Sequence, residues 1–537
     1  MMQQLLDHRG RPMMSHTAHH GASYTASDMV KWMPGIGSAD ADILPDLETL
    51  IARQRDLERN NPVASATPQT LVDNIIGPVL KLSSTPDWKA LGKDKEWARE
   101  WSSNVERRWK SYSTNLFFDS EHQVDFSDMA GLAVRGRYSN GGAMVIPKWL
   151  PSRPGANWGT CFQSVEIDRL SNPNDRPDTD RMRGGIEYDE NGAPLRYWIR
   201  NSHPGDCYGF STRNRYEWTP VVATTEWGRR VALHCFHKTR SGQSRAVPAL
   251  TSMLSEFKSM ARLRQATLQT AVANALVAFF FETQMDPDSI ASMFADSDQF
   301  LDSRKTHGQQ IRGLLRGANM DENMIVPVHP GDRVTSPLST RPGSEYGPFM
   351  ENIMRHIGAG VGLSYETTLR DFSRTNYSSA RAALLLDWKT FMGWRKWLVT
   401  YFAQPVYCLW LEEAVNRNIV EAPDFYENLD AYTMTKWTGA GRGFIDPTKE
   451  TQASRDRLNS GTSTLENEHA EQGRDYQEQM EQRLVEIQEA ADLINGSSLP
   501  EKYRDAAFYV LAGLEMPKGA ARSAVVTPDD EPEGVAA

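Results

Sequence analysis

The chain reads as a mixed α+β protein of several domains, and three observations carry that reading. Long stretches repeat apolar residues every three to four positions, the period of a helix face. Between about residues 124 and 240 that period gives way to short extended runs separated by turn residues. Beyond residue 446 the pattern is helical again, with capping residues at the element starts. A chain of 537 residues has room for a large core and for two to four domains.

Residues 1–45 are rich in His, Ser, Gly and Met and lack periodicity, so a flexible arm is expected there. His16, His19 and His20 fall within it with no fixed carboxylate or fourth ligand nearby, which favours a solvated tail over a metal site. Residues 46–60 carry Leu47, Leu50, Ile51 and Leu57 as one helix face, stopped by Asn61-Pro62. A second helix is expected over 67–76, stopped by Gly77-Pro78. The tryptophan-rich segment 87–116 reads as a helix in which Trp97, Trp101 and Trp109 form one buried stripe and Trp88 falls off it. Residues 126–134 are helical. Strands are expected at 142–149, 162–167, 185–188, 194–199, 218–222 and 231–236. Asp189-Glu190-Asn191-Gly192 makes the third and fourth of these a hairpin. Residues 247–281 read as one long helix with alanines suited to close packing. Residues 282–342 form a small excursion with one strand at 324–328.

The stretch 343–415 organises the rest. Phe349, Ile353 and Ile357, flanked by Met350 and Met354, give a helix over 346–358. A second helix starts near 378 and passes 398, with Ala383, Leu386, Phe391, Trp394 and Leu398 as its apolar face. Between them lies GLSYETTLRDFSRTNYSS, polar and aperiodic, too long for a plain connector and therefore a candidate functional loop. Tyr365, Arg370, Asp371, Arg374, Thr375 and Asn376 sit together in it. Arginines and amides suit sequence-independent phosphate contact; an exposed loop with internal ion pairs explains the same residues. Residues 432–443 read as loop. Asp446-Pro447 starts a helix as N-cap and first position. Ser463-x-x-Glu466 is a capping box opening another, with Tyr476, Met480, Leu484, Ile487, Ala491 and Ile494 as its seam and Gly496 as its stop. A short helix at 502–514 precedes an acidic tail.

Composition removes several classes of function. The formal net charge is −10, unlike a protein that grips phosphates along a duplex. Cys161, Cys207, Cys235 and Cys408 are scattered and form no CxxC, which fits a reducing compartment. The first residues lack a basic segment followed by an apolar core, and the apolar run 271–281 is too short to span a bilayer, so no membrane role is expected. No GxxxxGK[ST], GxSxG or HExxH occurs. Gly358-Ala359-Gly360-Val361-Gly362 follows a helix and so lacks the strand–turn–helix setting of a dinucleotide site; it reads as a helix break. His234 and His237 point to opposite faces of a strand, which weighs against a shared metal. Asp175–Asp180 reads as an exposed acidic loop. No cofactor and no catalytic residue is expected. A structural role, an acidic DNA-binding or scaffold role, and an enzyme with an unrecognised site remain as readings of the residues alone.

Several blocks resemble the lambda-type portal proteins of tailed bacteriophages, over about residues 32–491. They are GSADADILPDLETLIARQRDLERNNPVA (37–64) with DNIIGPVLKL (73–82), LHCFHKTRSGQSRAVPAL (233–250), GAGVGLSYETTLRDFSRTNYSSARAALLLDW (358–388), and FIDPTKETQASRDRLNSGTSTLENEHAEQGRDYQEQMEQRLVE (444–486). In the second block His234, Arg240, Gln243 and Arg245 match the family pattern, while Ala246 replaces its usual glycine and leaves the local turn open. The resemblance implies a ring-forming structural protein, usually a dodecamer, at one capsid vertex. Double-stranded DNA would pass through it without sequence preference. Its partners would be the major capsid protein, the terminase and the head-completion or connector proteins; the ATPase belongs to the terminase. It implies this division: an arm at 1–45, a mixed helix-and-sheet wing at 46–246, a stem helix at 247–281, a clip at 282–342, a second stem helix at 343–361, a tunnel loop at 362–379, a long helix returning to the wing at 380–445, a helical crown at 446–515 and an acidic tail at 516–537. Tyr365, Arg370, Asp371, Arg374, Thr375 and Asn376 would then belong to the DNA-channel loop.

Overall fold

Side-chain caps set the first element boundaries. Ser38 accepts a hydrogen bond from the Ala41 N–H and opens α1 (Ala39–Asn60). The Asn61 side chain accepts from Val63 and Ala64 and opens α2 (Pro62–Ile75), with Pro62 at the first helical position. Both helices start earlier than their apolar periodicity predicts, and both contain an internal proline, Pro45 and Pro68. Pro45 removes one hydrogen bond to the carbonyl of exposed Ala41, where water can take its place. The computed structural model describes residues 19–23, 26–206, 216–276, 280–281, 326–327, 346–443, 446–497 and 501–512. His16 with residues 1–18 of the expected arm, Cys207, nearly all of the 282–342 excursion and the acidic tail lie outside the described residues.

β1 (Lys81–Ser84), α3 (Lys95–Ser113) and α4 (Phe126–Asn140) follow, then the strands β2 (Gly142–Trp149), β3 (Thr160–Val165), β4 (Met182–Arg183), β5 (Ile186–Tyr188), β6 (Pro194–Arg200), β7 (Trp218–Val222) and β8 (Leu233–Phe236). They make an antiparallel sheet of order β3-β2-β8 and an antiparallel meander β4-β5-β6-β7. The hairpin read from its turn is β5–β6, and the Asp189 carboxylate accepts from the Asn191 and Ala193 N–H groups to shape that turn. β2 is buried on both faces. Ala143 and Val145 enter the main core, while Met144 and Ile146 enter a smaller one with Val165, Leu170, Ile186, Tyr197 and Ile199. A strand covered on both sides reads as a continuous apolar run rather than an alternation, as Gly142–Trp149 does in the sequence.

The main core is aromatic and centres on Trp109. The rings of Tyr112, Phe126, Tyr407, Trp410 and Trp437 lie with centroids 5.1–5.9 Å from it. The expected stripe is present: Trp101 and Trp109 are buried, and Trp97 packs on Trp101 at 5.9 Å. Trp437 comes from β11 (Thr435–Thr438), which pairs antiparallel with β1. The sequence reading of 432–443 as loop missed this strand. Four residues whose only partner lies far away in the chain leave no local period.

The long helix expected from residue 247 begins later. Pro248 disfavours helical geometry at the residue before it, and residues 247–250 are tied to the sheet-bearing region. Ala249 donates to the Tyr138 carbonyl at 2.9 Å and Leu250 to the Gln54 side chain at 2.9 Å. A 3₁₀ turn at Thr251–Met253 then leads into α5 (Leu254–Leu276), whose 23 residues span about 35 Å. Phe280–Phe281 (β9) pairs in parallel with Val326–Pro327 (β10), inside the strand expected at 324–328. α6 (Tyr346–Val361), α7 (Tyr365–Leu369) and α8 (Tyr377–Leu398) follow. A π-turn at Val399–Ala403 joins α8 without a break to α9 (Gln404–Asn416), then comes the one-turn α10 (Leu429–Tyr432).

Beyond β11 lie α11 (Pro447–Asn459), α12 (Leu465–Glu471), α13 (Tyr476–Asn495) and α14 (Glu501–Leu511). Asp446 caps α11 as read, accepting from the Lys449 N–H. The helix expected from the Ser463 capping box is two helices. Thr464, not Ser463, is the N-cap of α12; Gly473 at φ 75° breaks the chain; Asp475 caps α13. Among the described residues, no helix is long and apolar enough to cross a membrane. Trp109→Ala is expected to lower stability by about 3–5 kcal/mol, because no single neighbour can fill the centre of the aromatic cluster; a urea melt measures it, and a loss under 1 kcal/mol would contradict the placement of Trp109.

Candidate functional site

The candidate loop begins where α6 ends. Gly362 takes a left-handed conformation at φ 79°, its N–H donates to the Ala359 carbonyl at 3.1 Å, and the Leu363 N–H donates to the Gly358 carbonyl at 2.9 Å. This pair of bonds is a Schellman cap. The helix therefore runs through Gly358 and Gly360 and breaks only at Gly362, three residues later than the sequence suggests. The inner glycines serve packing: a Cβ on Gly360 would collide with the Met253 sulfur, and one on Gly358 with the Leu363 carbonyl. The last turns of α6 lie in this way against the start of α5, where Met253, Phe257 and Ile357 are buried together.

The loop has more structure than a connector. The Ser364 hydroxyl accepts from the Thr367 N–H and caps α7. Its own N–H and hydroxyl donate to the two oxygens of Asp387, at 2.8 and 2.5 Å. Asp387 is buried on α8, so a carboxylate inside the protein clamps the loop's first turn. Arg370 closes α7 in the left-handed region at φ 56°. The Asp371 carboxylate accepts from the Ser373 N–H at 2.9 Å; hydrogen bonds from Ser373 hold it below the usual carboxylate range. Asn376 is the N-cap of α8, its side chain accepting from Ser379 at 2.8 Å.

The structure divides the six candidates. Arg374 donates to Glu351 of α6 at 3.0 Å, and Glu351 also accepts from Arg355 at 2.7 Å, with Arg355 first in holding Glu351 below its ordinary value. The Thr375 hydroxyl donates to Glu366 at 2.9 Å, and the Arg355 guanidinium lies over the Tyr365 ring at 5.0 Å. These side chains make one cluster on the α6 side. Arg370 leaves it and turns to α2, donating to the Thr70 hydroxyl at 3.1 Å and lying 3.8 Å from Asp73. Both arginines stay largely exposed, Arg374 at 77% and Arg370 at 60% of the side chain. The loop is thus an exposed surface whose cations already have partners.

Two residues that hold the site were missed in the sequence. Asp387, Phe391 and Arg395 share the buried stripe of α8, whereas Leu386, expected on the apolar face, is 63% exposed. The Arg395 guanidinium donates to the carbonyls of Asn74 and Ile75 at the end of α2 and of Ala440, and burial pushes it down to about 10. The signal was a carboxylate and a guanidinium placed four residues either side of a core Phe.

The second conserved-looking block is a clasp rather than a site. The Gln243 side chain accepts from the Thr239 and Arg240 N–H groups and donates to the Arg245 carbonyl. Arg240 pairs with Asp42 at 2.6 Å, and buried Arg245 donates to the carbonyls of Ile167, Leu170 and Gly184. Ala246 has no positive φ, so alanine fits the turn that the family's glycine left open. His234 is buried between Tyr197 and Phe236, and burial drops it to about 3, a neutral core imidazole. Among the described residues, no group of three or more His, Cys, Asp or Glu could hold a metal ion. Asp387→Ala should free the loop: faster hydrogen exchange over 363–370 and a loss of about 1–3 kcal/mol, since two donors lose their acceptor. Unchanged exchange there would show that the clamp is idle.

The family model for phage portal proteins of the lambda family matches residues 25–395. The portal protein of Escherichia phage N15 is 32% identical, covering 88% of this chain and 90% of that protein. Portal protein B of Escherichia phage lambda is 30% identical, covering 88% and 89%. A chain in the virion of a native gene transfer agent particle aligns at 12% identity and TM-score 0.34, over 80% of this chain and 93% of that one. With the family model covering well over half of the sequence and two relatives matching nearly end to end, the chain belongs to the lambda family of phage portal proteins.

Proposed function

We propose that the chain assembles as a homo-oligomeric, dodecameric ring at one vertex of a phage capsid and forms the channel through which double-stranded DNA is packaged and ejected. Membership of the portal family carries this reading. The ring is a structural part of the virion, built in the host cytoplasm and not itself an enzyme; it meets the major capsid protein, docks the terminase during packaging and later takes the head-completion or connector proteins. Residues 46–246 serve as the wing, α5 and α6 as the stem, 282–342 as the clip, 362–379 as the channel loop and 446–515 as the crown.

Two features of the molecule support the reading. The outward face of α8 carries Leu385, Leu386 and Met392 exposed, with Lys389 between them, Lys396 one turn beyond and no carboxylate, while the whole chain is acidic. An apolar face with cations only is suited to a second, net acidic copy, as a head-to-tail ring requires. The loop, for its part, presents arginines already matched by Glu351 and Asp73. Each unmatched cation on a channel wall would displace counterions and hold the passing phosphates; a matched one touches them weakly, which suits DNA in transit.

Leu385→Glu with Leu386→Glu is expected to leave the subunit folded and to abolish rings in negative-stain images; rings from that variant would place the interface elsewhere. Arg370→Ala with Arg374→Ala should assemble normally yet lower packaged or retained DNA at least several-fold in a packaging assay. Full packaging by that double variant would remove the loop from the channel's working surface.

A further inference from the structure

The C-terminal helices are attached differently from everything else in the chain. Among the described residues, none of the apolar side chains of α11–α14 joins the main apolar core or either smaller cluster. Their seam with the sheet-bearing region is polar. Lys81 of β1 donates to Glu478 of α13 at 2.8 Å, and Lys110 of α3 reaches the same carboxylate at 3.5 Å. Arg99 of α3 lies 3.6 Å from Glu481, the Ser83 hydroxyl donates to Asp475, and Lys436 of β11 pairs with Glu466 of α12. At one end of the seam the backbone itself makes contact. The Arg442 N–H donates to the Glu471 carbonyl at 2.8 Å, and Gly473 packs on Gly441 closely enough that a Cβ would clash with its nitrogen. The chain therefore has a glycine-lined junction at one point and a line of ion pairs beyond it.

One acid sits under that line with no cation of its own. Glu106 of α3 is half-buried, and its carboxyl accepts from the Ser84 N–H at 2.6 Å. Carboxylates at the start of α13 gather around it: the N-cap Asp475 bonds Ser83, next to Glu106's partner Ser84, Glu478 pairs with Lys110 one turn along α3, and Glu481 lies by Arg99. The cations nearby, Lys81, Arg99 and Lys110, are engaged with Glu478 and Glu481. Behind Glu106, on α9, stands the Tyr407 hydroxyl, 3.4 Å from that of Ser84. We propose that α13 is a releasable latch on the sheet-bearing region, and that the charge on Glu106 decides whether the latch is shut. Neutral Glu106 leaves the α13 carboxylates free to pair with Lys81, Lys110 and Arg99. Ionised Glu106 sets a fourth negative charge beneath the three and opposes closure. Salt weakens the same pairs, because every one of them is substantially exposed.

The sign of the pH effect follows. Burial first, then the α13 carboxylates, raise Glu106 to about 7 in the closed form. Release of α13 removes those like charges, so Glu106 holds its proton less tightly in the open form. The closed form thus binds the proton more tightly, so closure is favoured at the acid end of that range and is lost as pH rises through about 7. Lys81, first among the causes, holds Glu478 below its ordinary value, so the closing ion pair persists across this window. The inference concerns one subunit and does not depend on the ring.

The test uses the full chain with fluorophores on two exposed helix positions, Arg108→Cys on α3 and Gln488→Cys on α13, in a background where Cys207 and Cys408 are replaced by serine. Energy transfer is read at pH 5.5 and 8.5. The expected result is a high-transfer population at pH 5.5 that falls at pH 8.5 by about tenfold or more in the closed-to-open ratio, and falls further in 0.5 M salt. Glu106→Gln keeps the acceptor for the Ser84 N–H but cannot ionise, and should hold the high-transfer population at pH 8.5. Equal transfer at both pH values in the parent, or a Glu106→Gln chain that opens as the parent does, would overturn the proposal.

Discussion

Two charged side chains buried on one stripe of α8 constrain most of this subunit. A charge taken out of water must be met by oriented donors or acceptors, or the fold loses several kcal/mol. Asp387 meets that demand with the N–H and hydroxyl of Ser364, and so fixes where the loop starts. Arg395 meets it with three backbone carbonyls, two at the end of α2 and one, Ala440, just past β11. A single helix turn either side of Phe391 thus ties the loop, the second helix and the closing strand to one rod. The rod then continues through the π-turn into α9. There Tyr407 and Trp410 enter the aromatic cluster, and the Glu413 carboxylate accepts from the Gly159 and Thr160 N–H groups at the start of β3. Loop position and core packing are therefore not independent: both are set by the rotation of the same helix.

That coupling gives the exposed arginines of the loop a physical meaning. A loop that only had to be polar would not need its first turn clamped from inside the protein. Arg374 and Arg355 converge on Glu351, and Arg370 is drawn to Asp73 and Thr70, so the loop's cations stay near the surface without standing free. Exposed pairs of this kind contribute little stability, about 0–1 kcal/mol each. Their effect is to lower the positive potential at the loop's surface while leaving its cations exposed. On the channel wall proposed above, cations matched in this way would neither repel DNA strongly nor hold it.

The sequence was most informative where structure is local. The hairpin turn at Asp189–Gly192, the tryptophan stripe of α3 and the Asp446-Pro447 helix start each depend on neighbours within a few positions, and each lies where its pattern placed it. The β1–β11 pair was invisible because its two short strands meet across most of the chain. In the loop, the residue types did not disclose the bonds that shape it. Asn376 is a cap, Arg370 is a left-handed helix end, and Asp387, outside the segment, is what holds it. A polar residue's partner is set by the tertiary fold, and no period in the sequence records it. Leu386 failed in the other direction: its apolar character speaks for burial, but the single subunit leaves it exposed. Under the ring proposed above, the apolar pattern of a helix reports the assembled state, and a face that looks miscast in the single subunit is one a neighbour could cover.

The two modes of attachment within the subunit follow from the same logic. Packing around Trp109 is dry, aromatic and insensitive to salt or pH, and it joins the sheet, α9 and the base of α5 and α6 into one core. The seam under α13 is wet and made of exposed ion pairs around a carboxyl that burial and like charges leave poised near neutral pH. Hydrophobic contacts there would have made the joint permanent, since about 25 cal/mol per Å² of apolar area accumulates quickly over a helix face. Ion pairs give register without that depth of binding. A subunit built this way can hold its core-packed parts rigid and still let its last helices respond to the charge and ionic conditions beside them.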